Sequence, residues 1–189
     1  MISAQKVYAM LGNETLWGAA QRVHQILTEA GIPYAICGGV ATCLHGYQRN
    51  TTDVDIVVAK GNAENIKKLF ADQGIAWQES TSEFLTSDGI AVQFLLSSEK
   101  AGKGQSILIA DPSDPRFVEE IEGLSVLKLS KLIEMKLASG AGSMRRTHKD
   151  FADVVELIVA NKLEKSFARY LHKTVRETFK QLVDAARSE

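Results

Sequence analysis

Two aspartates, Asp53 and Asp55, lie in an apolar segment that continues as Ile56-Val57-Val58. Its alternation and its β-branched residues predict a central strand over residues 54–59. Since side chains two apart on a strand share a face, both carboxylates are expected to emerge together. Such a pair repels unless a cation lies between them or one of them binds a proton. Their oxygens suit a hard ion such as Mg²⁺, which keeps several waters and bridges to substrate phosphates.

A glycine pair, Gly38-Gly39, follows the apolar segment Tyr34-Ala35-Ile36-Cys37 and precedes a predicted short helix over residues 40–46. Glycines between a strand and a helix let backbone N–H groups approach a phosphate closely, and the helix dipole attracts negative charge. Alone, a Gly-Gly pair is commonly a turn, and an Asp-x-Asp sequence is commonly an exposed strand end. Together they predict phosphoryl chemistry on a nucleoside triphosphate (NTP) positioned by metal and backbone.

These motifs carry a family resemblance. The residues concerned are Gly38-Gly39-Val40-Ala41, His45-Gly46, Arg49 and Thr51-Thr52-Asp53-Val54-Asp55, followed by Leu132 to Leu137, Arg146, Lys149-Asp150 and Asp153. They resemble the polymerase-β-like nucleotidyltransferase superfamily, and look most similar to its minimal bacterial branch of abortive-infection and toxin–antitoxin nucleotidyltransferases. The similarity spans about residues 30–160.

The resemblance implies roles for particular residues. Gly38 and Gly39 would contact the triphosphate, and Asp53 and Asp55 would bind Mg or Mn. Lys136, on the first C-terminal helix, would reach phosphates. Asp150 would help to close the active site, with Asp153 as its alternate.

Other polar residues near these motifs complete the predicted nucleotide-binding set. Arg49, Thr52 and Lys149 are placed there, although Arg49 fits a surface position equally well. Lys136 also fits a solvated helix face, and Lys149 and Asp150 could instead complement a helix dipole. His45 fits a packing or capping role better than that of a base.

The sequence departs from the family pattern at Gln93. Many members carry a third carboxylate on a neighbouring strand, and Gln93 occupies that position in the predicted strand over residues 90–96. An amide cannot act as a base, so a lower rate is expected. Three explanations stay open: Asp150 supplies the third acid, a loop acid (Asp88 or Glu99) replaces it, or the protein binds nucleotide without turning it over.

The pattern along the chain predicts an α/β (α+β) fold, with a nucleotidyltransferase-like mixed sheet flanked by helices and a C-terminal helical unit. Helices are predicted over 14–30, 63–72, 127–139, 149–161 and 166–186, and further strands over 75–78, 83–86 and 107–110. The turn-rich segment Asp111-Pro112 to Asp114-Pro115 marks a boundary. Residues 1–125 are therefore predicted to form the catalytic domain and residues 126–189 a helical domain.

Charge is unevenly distributed between these two parts. Residues 1–125 carry 9 Lys and Arg against 15 Asp and Glu, whereas residues 126–189 carry 13 against 8. The basic C-terminal part indicates either a solvated helix face or a surface for RNA. No apolar run approaches the ~20 residues of a membrane span, and no signal peptide is apparent, so a cytoplasmic location is expected.

The sequence thus predicts a Mg-dependent transfer of a nucleotidyl group from an NTP to a hydroxyl acceptor on RNA or protein, with an antitoxin-like protein as a further candidate partner. The alternative is a weak or inactive module of the same fold that binds nucleotide or a partner protein.

Overall fold

Helices and strands alternate over the first half of the chain in the computed structural model, which describes residues 2–188. The helices are α1 (Ala4–Met10), α2 (Glu14–Glu29), α3 (Gly38–Leu44), α4 (Ala63–Asp72), α5 (Leu129–Gly142), α6 (Met144–Ala160) and α7 (Arg176–Ser188). The strands are β1 (Tyr34–Cys37), β2 (Asp53–Val58), β3 (Ala76–Gln78), β4 (Glu83–Leu85), β5 (Ala91–Leu96), β6 (Val118–Ile121) and β7 (Leu124–Leu127). Short 3₁₀ helices cover Lys60–Asn62, Lys165–Tyr170 and Lys173–Val175.

The strands form one seven-stranded mixed sheet in the order β3-β4-β5-β2-β1-β7-β6. The central strand β2 pairs antiparallel with β1 and parallel with β5. In this register Asp55 lies opposite Cys37 on one side and opposite Gln93 on the other. The predicted mixed sheet flanked by helices, with a helical C-terminal region, is confirmed.

The two faces of β2 pack against different apolar clusters. Val54, Ile56 and Val58 join the main core, which also contains Ile66 and Phe70 of α4. Val57 points the other way, into a smaller cluster with Ala35, Cys37, Ile109 and Leu127, against which Met135 of α5 packs. Because Asp53 and Asp55 have the same parity as Val57, they lie on the face nearest α5.

Helix α2 illustrates how the sequence sets these elements. Its apolar residues recur at helical spacing, and Leu16, Val23 and Leu27 are fully buried. Gly31 follows the helix with φ +64°, a left-handed conformation that glycine adopts at little cost. The prediction of a helix over residues 14–30 is confirmed.

Two parts of the sheet differ from the sequence prediction. The predicted strand over 107–110 is wrong: the segment forms only an isolated bridge between Lys100 and Leu108, and Leu108 is exposed. The β6–β7 hairpin was not predicted. It turns at Glu122-Gly123, both with positive φ, as a two-residue hairpin loop requires. The chain after Val126 is therefore not wholly helical at its start, since β7 continues to Leu127.

The C-terminal helices also differ in their bounds. The predicted break of this helix at Gly140 and Gly142 is wrong, since α5 continues through Gly140 and ends at Gly142. A Cβ at Gly140 would lie 2.6 Å from Phe151 of α6. Gly140 therefore permits close packing of α5 on α6. Helix α6 begins at Met144 instead of residue 149, and the predicted helix over 166–186 is two short 3₁₀ helices followed by α7.

The predicted division at residues 125/126 falls inside β7. Whether residues 1–125 and 126–189 fold as separate domains stays a prediction. Within residues 2–188, no helix combines the length and apolar character needed to cross a bilayer.

Glu134 of α5 supports a prediction about stability. It is buried, accepts a hydrogen bond from the backbone N–H of His172 at 2.5 Å, and pairs with Lys131 Nζ at 2.7 Å. We expect Glu134→Gln to lower the free energy of unfolding by about 1–3 kcal/mol in urea titrations, since the substitution weakens two charge-assisted contacts. Glu156→Gln, on the exposed face of α6, is the matched control. Equal stability of the two variants would contradict this role.

Candidate functional site

A cleft with a volume of about 210 Å³ lies between the end of the sheet and helices α5 and α6. Its polar and charged lining residues are Arg49, Thr51, Asp53, Asp55, Gln93, Lys136, Ser139, Arg146, Lys149 and Asp150, and Gly38 and Gly39 also line it. Four basic and three acidic side chains therefore meet in one cavity. This composition suits a polyanion bound beside a cation.

Gly38 lies directly against Asp55. It has φ +59°, and a Cβ at this position would lie 1.8 Å from Asp55 Oδ2. A Cβ on Gly39 would lie 2.6 Å from Thr51. Both positions thus require glycine, because the backbone approaches the side chains of Asp55 and Thr51 too closely for a Cβ. The start of α3 therefore lies beside the carboxylate of Asp55.

The segment just before β2 orients the side chain of Asp53. Thr51 Oγ1 donates a hydrogen bond to Asp53 Oδ1 at 2.7 Å. Asn13 Nδ2 donates to the backbone oxygen of Thr51 at 2.9 Å and to Asn50 Oδ1 at 2.8 Å, which ties this loop to the start of α2. The carboxylate of Asp53 is therefore held by a threonine that is itself anchored.

Asp55 is the member of the pair whose ionised form is destabilised by its surroundings. Burial, followed by the neighbouring charge of Asp53, raises the pKa of Asp55 to about 6, although Lys136, Arg146 and Lys149 act in the opposite direction. A cation or a proton at this carboxylate would relieve both effects.

Lys136 and Arg49 converge on Asp153 at the back of the cleft. Lys136 Nζ lies 2.5 Å and Arg49 Nη1 2.6 Å from Asp153 Oδ2, and Lys136 Nζ also lies 3.8 Å from Asp150 Oδ1. Lys136, Asp150 and Asp153 are each at most 7% exposed. Asp153 thus fixes both cations and does not itself line the cleft.

Asp150 differs from Asp153 in having spare hydrogen-bonding capacity. Its Oδ2 atom is buried and accepts no hydrogen bond among the described residues, and the nearest cation, Arg146 Nε, is 3.8 Å away. A buried carboxylate oxygen without a donor is costly. A ligand that brings a proton donor or a cation into the cleft could satisfy it.

The structure brings together most of the sequence-predicted site residues. The ones that line the cleft are Asp53, Asp55, Asp150, Gly38, Gly39, Arg49, Lys136 and Lys149. Thr52 does not line it and is exposed, whereas the adjacent Thr51 does line it. The functional roles of all these residues stay predictions.

Among the lining residues that sequence reasoning left out of the predicted site are Thr51, Ser139 and Arg146. For Thr51 the available signal was strand parity, since it is two residues from Asp53 on an extended chain and shares its face. For Arg146 the signal was its helical spacing of four from Asp150. His45 lies outside the cleft, and its Nε2 is 2.8 Å from the backbone oxygen of Leu127, which fits the packing role.

The donor set can be tested for a divalent metal. Among residues 2–188, no three His, Cys, Asp or Glu side chains group closely enough to hold an ion by themselves. The Asp53 and Asp55 pair instead offers two hard oxygen ligands at the mouth of a basic cleft. This fits Mg²⁺ or Mn²⁺, which bind through one or two carboxylates with water and substrate phosphates completing the shell.

Comparison with known proteins shows similarity at the level of fold. No family model matches the chain, and no curated protein does. Among solved structures, ANT(2'')-Ia in complex with adenylyl-2''-tobramycin is 14% identical, with a TM-score of 0.54 over 90% of this chain and 98% of that one. An antigenic nucleotidyltransferase-like protein from Paracoccidioides brasiliensis is 19% identical, with a TM-score of 0.53 over 92% and 88%.

A third solved structure, a protein of Thermotoga maritima assigned to the nucleotidyltransferases, is 16% identical, with a TM-score of 0.53 over 72% of this chain and 92% of that one. At these low sequence identities, the similarity shows the fold alone. The chain therefore has a nucleotidyltransferase-like fold, and the predicted fold class is confirmed in that respect.

The strained carboxylate pair generates a stability prediction. The pKa of Asp55 is raised above its ordinary value of 3.8 to about 6, so the folded state retains this proton between about pH 4 and 6 while the unfolded state loses it. Stability therefore falls as pH rises through this window. In EDTA, Asp55→Asn should raise the free energy of unfolding by about 3 kcal/mol at pH 8, and the gain should vanish near pH 4.

Chemical denaturation across pH 4–8 measures this effect, with Asp88→Asn as an exposed control. A variant that is less stable than the wild type at every pH would mean that Asp55 has a structural role.

Proposed function

We propose that this protein is a Mg-dependent nucleotidyltransferase that moves a nucleotidyl group from an NTP to a hydroxyl acceptor. The observation that carries the proposal is the contact between Gly38 and the carboxylate of Asp55, at a cleft whose opposite wall is basic. A metal-binding pair, a close backbone approach and phosphate-neutralising cations are the parts that such a transfer requires.

Each part has an assigned task. Asp53 and Asp55 hold Mg or Mn, which when bound neutralises phosphate charge and favours ionisation of the attacking hydroxyl. Gly38 and Gly39, whose missing side chains let the backbone lie against Asp55 and Thr51, contact the triphosphate through that backbone. Lys149, exposed at the cleft, binds phosphate directly. Lys136 and Arg49 add positive potential from the cluster fixed by Asp153.

In the proposed reaction the acceptor oxygen forms a bond to the α-phosphorus, and the bond from that phosphorus to the bridging oxygen of the β-phosphate breaks. Pyrophosphate leaves. The hydroxyl proton passes to a carboxylate, for which we propose Asp150, because this residue lines the cleft and its Oδ2 accepts no hydrogen bond among the described residues. Asp150 would then fill the role left open by Gln93.

The acceptor we propose is an RNA or protein hydroxyl, as in the toxin–antitoxin branch that the sequence resembles, with an antitoxin-like protein as partner. The support for RNA from the basic C-terminal part is reduced, because several of its cations are paired locally. The pairs are Lys165 with Asp184 at 2.6 Å, Lys180 with Glu177 at 3.5 Å and Arg187 with Glu164 at 3.6 Å.

A second candidate function is a module of the same fold that binds nucleotide or a partner protein without turnover. The observation that favours it is Gln93, which lies opposite Asp55 in register and brings no third carboxylate to the metal pair. Binding and transfer assays on the same preparation separate these two functions.

The first test is transfer of label from α-labelled NTPs into total RNA and protein in the presence of Mg²⁺. We expect incorporation by the wild type, and at least a ~100-fold loss in Asp53→Asn/Asp55→Asn, because the metal ligands are removed without unfolding the strand. γ-labelled NTPs should give no incorporation, since the terminal phosphate leaves with pyrophosphate.

Three results would speak against the proposal. Incorporation from γ-label would indicate a phosphotransferase. Nucleotide binding without α-label transfer would favour the binding module, and an unfolded double variant would make the aspartate pair structural.

The second test addresses phosphate binding by Lys149. Lys149→Gln should weaken NTP binding about 5- to 10-fold, equivalent to about 1 kcal/mol, because one charge-assisted contact is lost. Arg145→Gln is the matched control, since Arg145 is exposed on the same helix but does not line the cleft. Isothermal titration with Mg²⁺ and a non-hydrolysable NTP measures both variants. Equal losses of NTP affinity in the two variants would show that the effect comes from the change in net charge alone.

A further inference from the structure

Three polar side chains lie in a row across adjacent strands on the face that carries the cleft. Asp55 of β2 is opposite Gln93 of β5 in the parallel register. On the far side of β5, Phe84 pairs with Val92 in the antiparallel register, which brings Glu83 opposite Gln93. Gln93 Nε2 donates a hydrogen bond to Glu83 Oε2 at 3.3 Å. The order across the sheet is therefore Asp55, Gln93, Glu83.

The contact with Glu83 determines which way the amide of Gln93 faces. An ionised carboxylate only accepts hydrogen bonds, so Gln93 must offer it the NH₂ group. The amide oxygen Oε1 is then turned away from β4, toward the side on which Asp55 lies. Glu83 forms no ion pair among the described residues, so its charge is not neutralised by a neighbouring cation.

Glu83 is too far away to join the aspartates as a direct ligand of the same ion. It lies two strands from Asp55, and neighbouring strands are ~4.8 Å apart, so the two backbones are separated by roughly 10 Å. Gln93 occupies the intervening strand and lines the cleft, whereas Glu83 does not. Beyond the long-range effect of its charge, Glu83 can therefore influence the metal pair only through the Gln93 amide.

We propose that Glu83 is a positioning residue that orients the Gln93 amide, so that Gln93 Oε1 serves as a third oxygen ligand for the divalent cation held by Asp53 and Asp55. This inference rests on the proposed function, because it assumes a metal at the aspartate pair. It assigns a use to the residue that replaces the expected third acid. Ligand orientation by an outer hydrogen-bond partner is a common feature of metal sites, and its loss typically costs 10- to 100-fold in metal affinity.

The test measures binding of Mn²⁺ alone to the full chain, from the loss of the free Mn²⁺ signal in electron paramagnetic resonance. In Glu83→Gln, two amides face each other and either orientation of Gln93 can form a hydrogen bond. We expect this variant to bind Mn²⁺ about 10-fold more weakly, while its metal-free Tm stays close to that of the wild type. Glu79→Gln, which removes the same charge from an exposed position near the β3–β4 hairpin, should leave the affinity unchanged.

A second background tests whether the effect of Glu83 depends on the Gln93 amide. Gln93→Ala removes the amide, so Glu83 has nothing left to orient, and adding Glu83→Gln should no longer change the Mn²⁺ affinity. A direct effect of the Glu83 charge on the cation would persist in this background.

The possible outcomes separate this inference from the proposed function. Equal Mn²⁺ affinity of Glu83→Gln and wild type overturns the inference, as does an equal loss in Glu79→Gln or an undiminished loss when Glu83→Gln is added to Gln93→Ala. If the wild type transfers α-label while any of these holds, the proposed function stands without the inference. If Glu83 controls Mn²⁺ affinity and no label is transferred, the inference stands and the proposed function fails. A wild type that binds no Mn²⁺ overturns the inference directly.

Discussion

The contact between the backbone of Gly38 and the carboxylate of Asp55 is the constraint on which the cleft depends. No side chain fits at Gly38, since its Cβ would lie 1.8 Å from Asp55 Oδ2. The sheet register fixes this approach, because Cys37, just before Gly38, lies opposite Asp55. The result is a partly buried acid whose pKa is raised by burial and by Asp53, so the site is built around a charge that the fold alone does not neutralise.

The wall of the cleft opposite Asp55 contains largely buried cations, which must be paired with acids. Lys136 is buried, and a buried ammonium group must be paired. Asp153 supplies this pairing and also holds Arg49, which ties α5 and α6 to the loop before β2. Removing Asp153 would leave two cations facing each other, so this residue supports the cleft without lining it. The basic wall is thereby fixed before any ligand arrives.

Residue patterns were sufficient to predict the parts of the fold that are set locally. The Asp53 and Asp55 pair and the period of α2 were readable because each depends on spacing within one element. The β6–β7 hairpin was missed because its strands, Val118–Ile121 and Leu124–Leu127, are short and half of the first is charged. The continuation of α5 through Gly140 was missed because local propensity disfavours glycine in a helix, whereas the close packing of Gly140 against Phe151 is a tertiary contact that propensity does not report.

The site was predictable to a similar extent and for the same reason. Asp150 and Asp153, three apart on one helix, could not be ranked by spacing, and only their partners distinguish them: Asp153 is saturated by Lys136 and Arg49, whereas Asp150 keeps a free buried oxygen. Gln93 is a comparable case. Taken alone it is a missing acid, but with Glu83 beside it across the sheet its amide has a preferred direction. A neutral ligand at this position would leave the cation more positive charge than a third carboxylate would, and so strengthen its hold on the negative triphosphate.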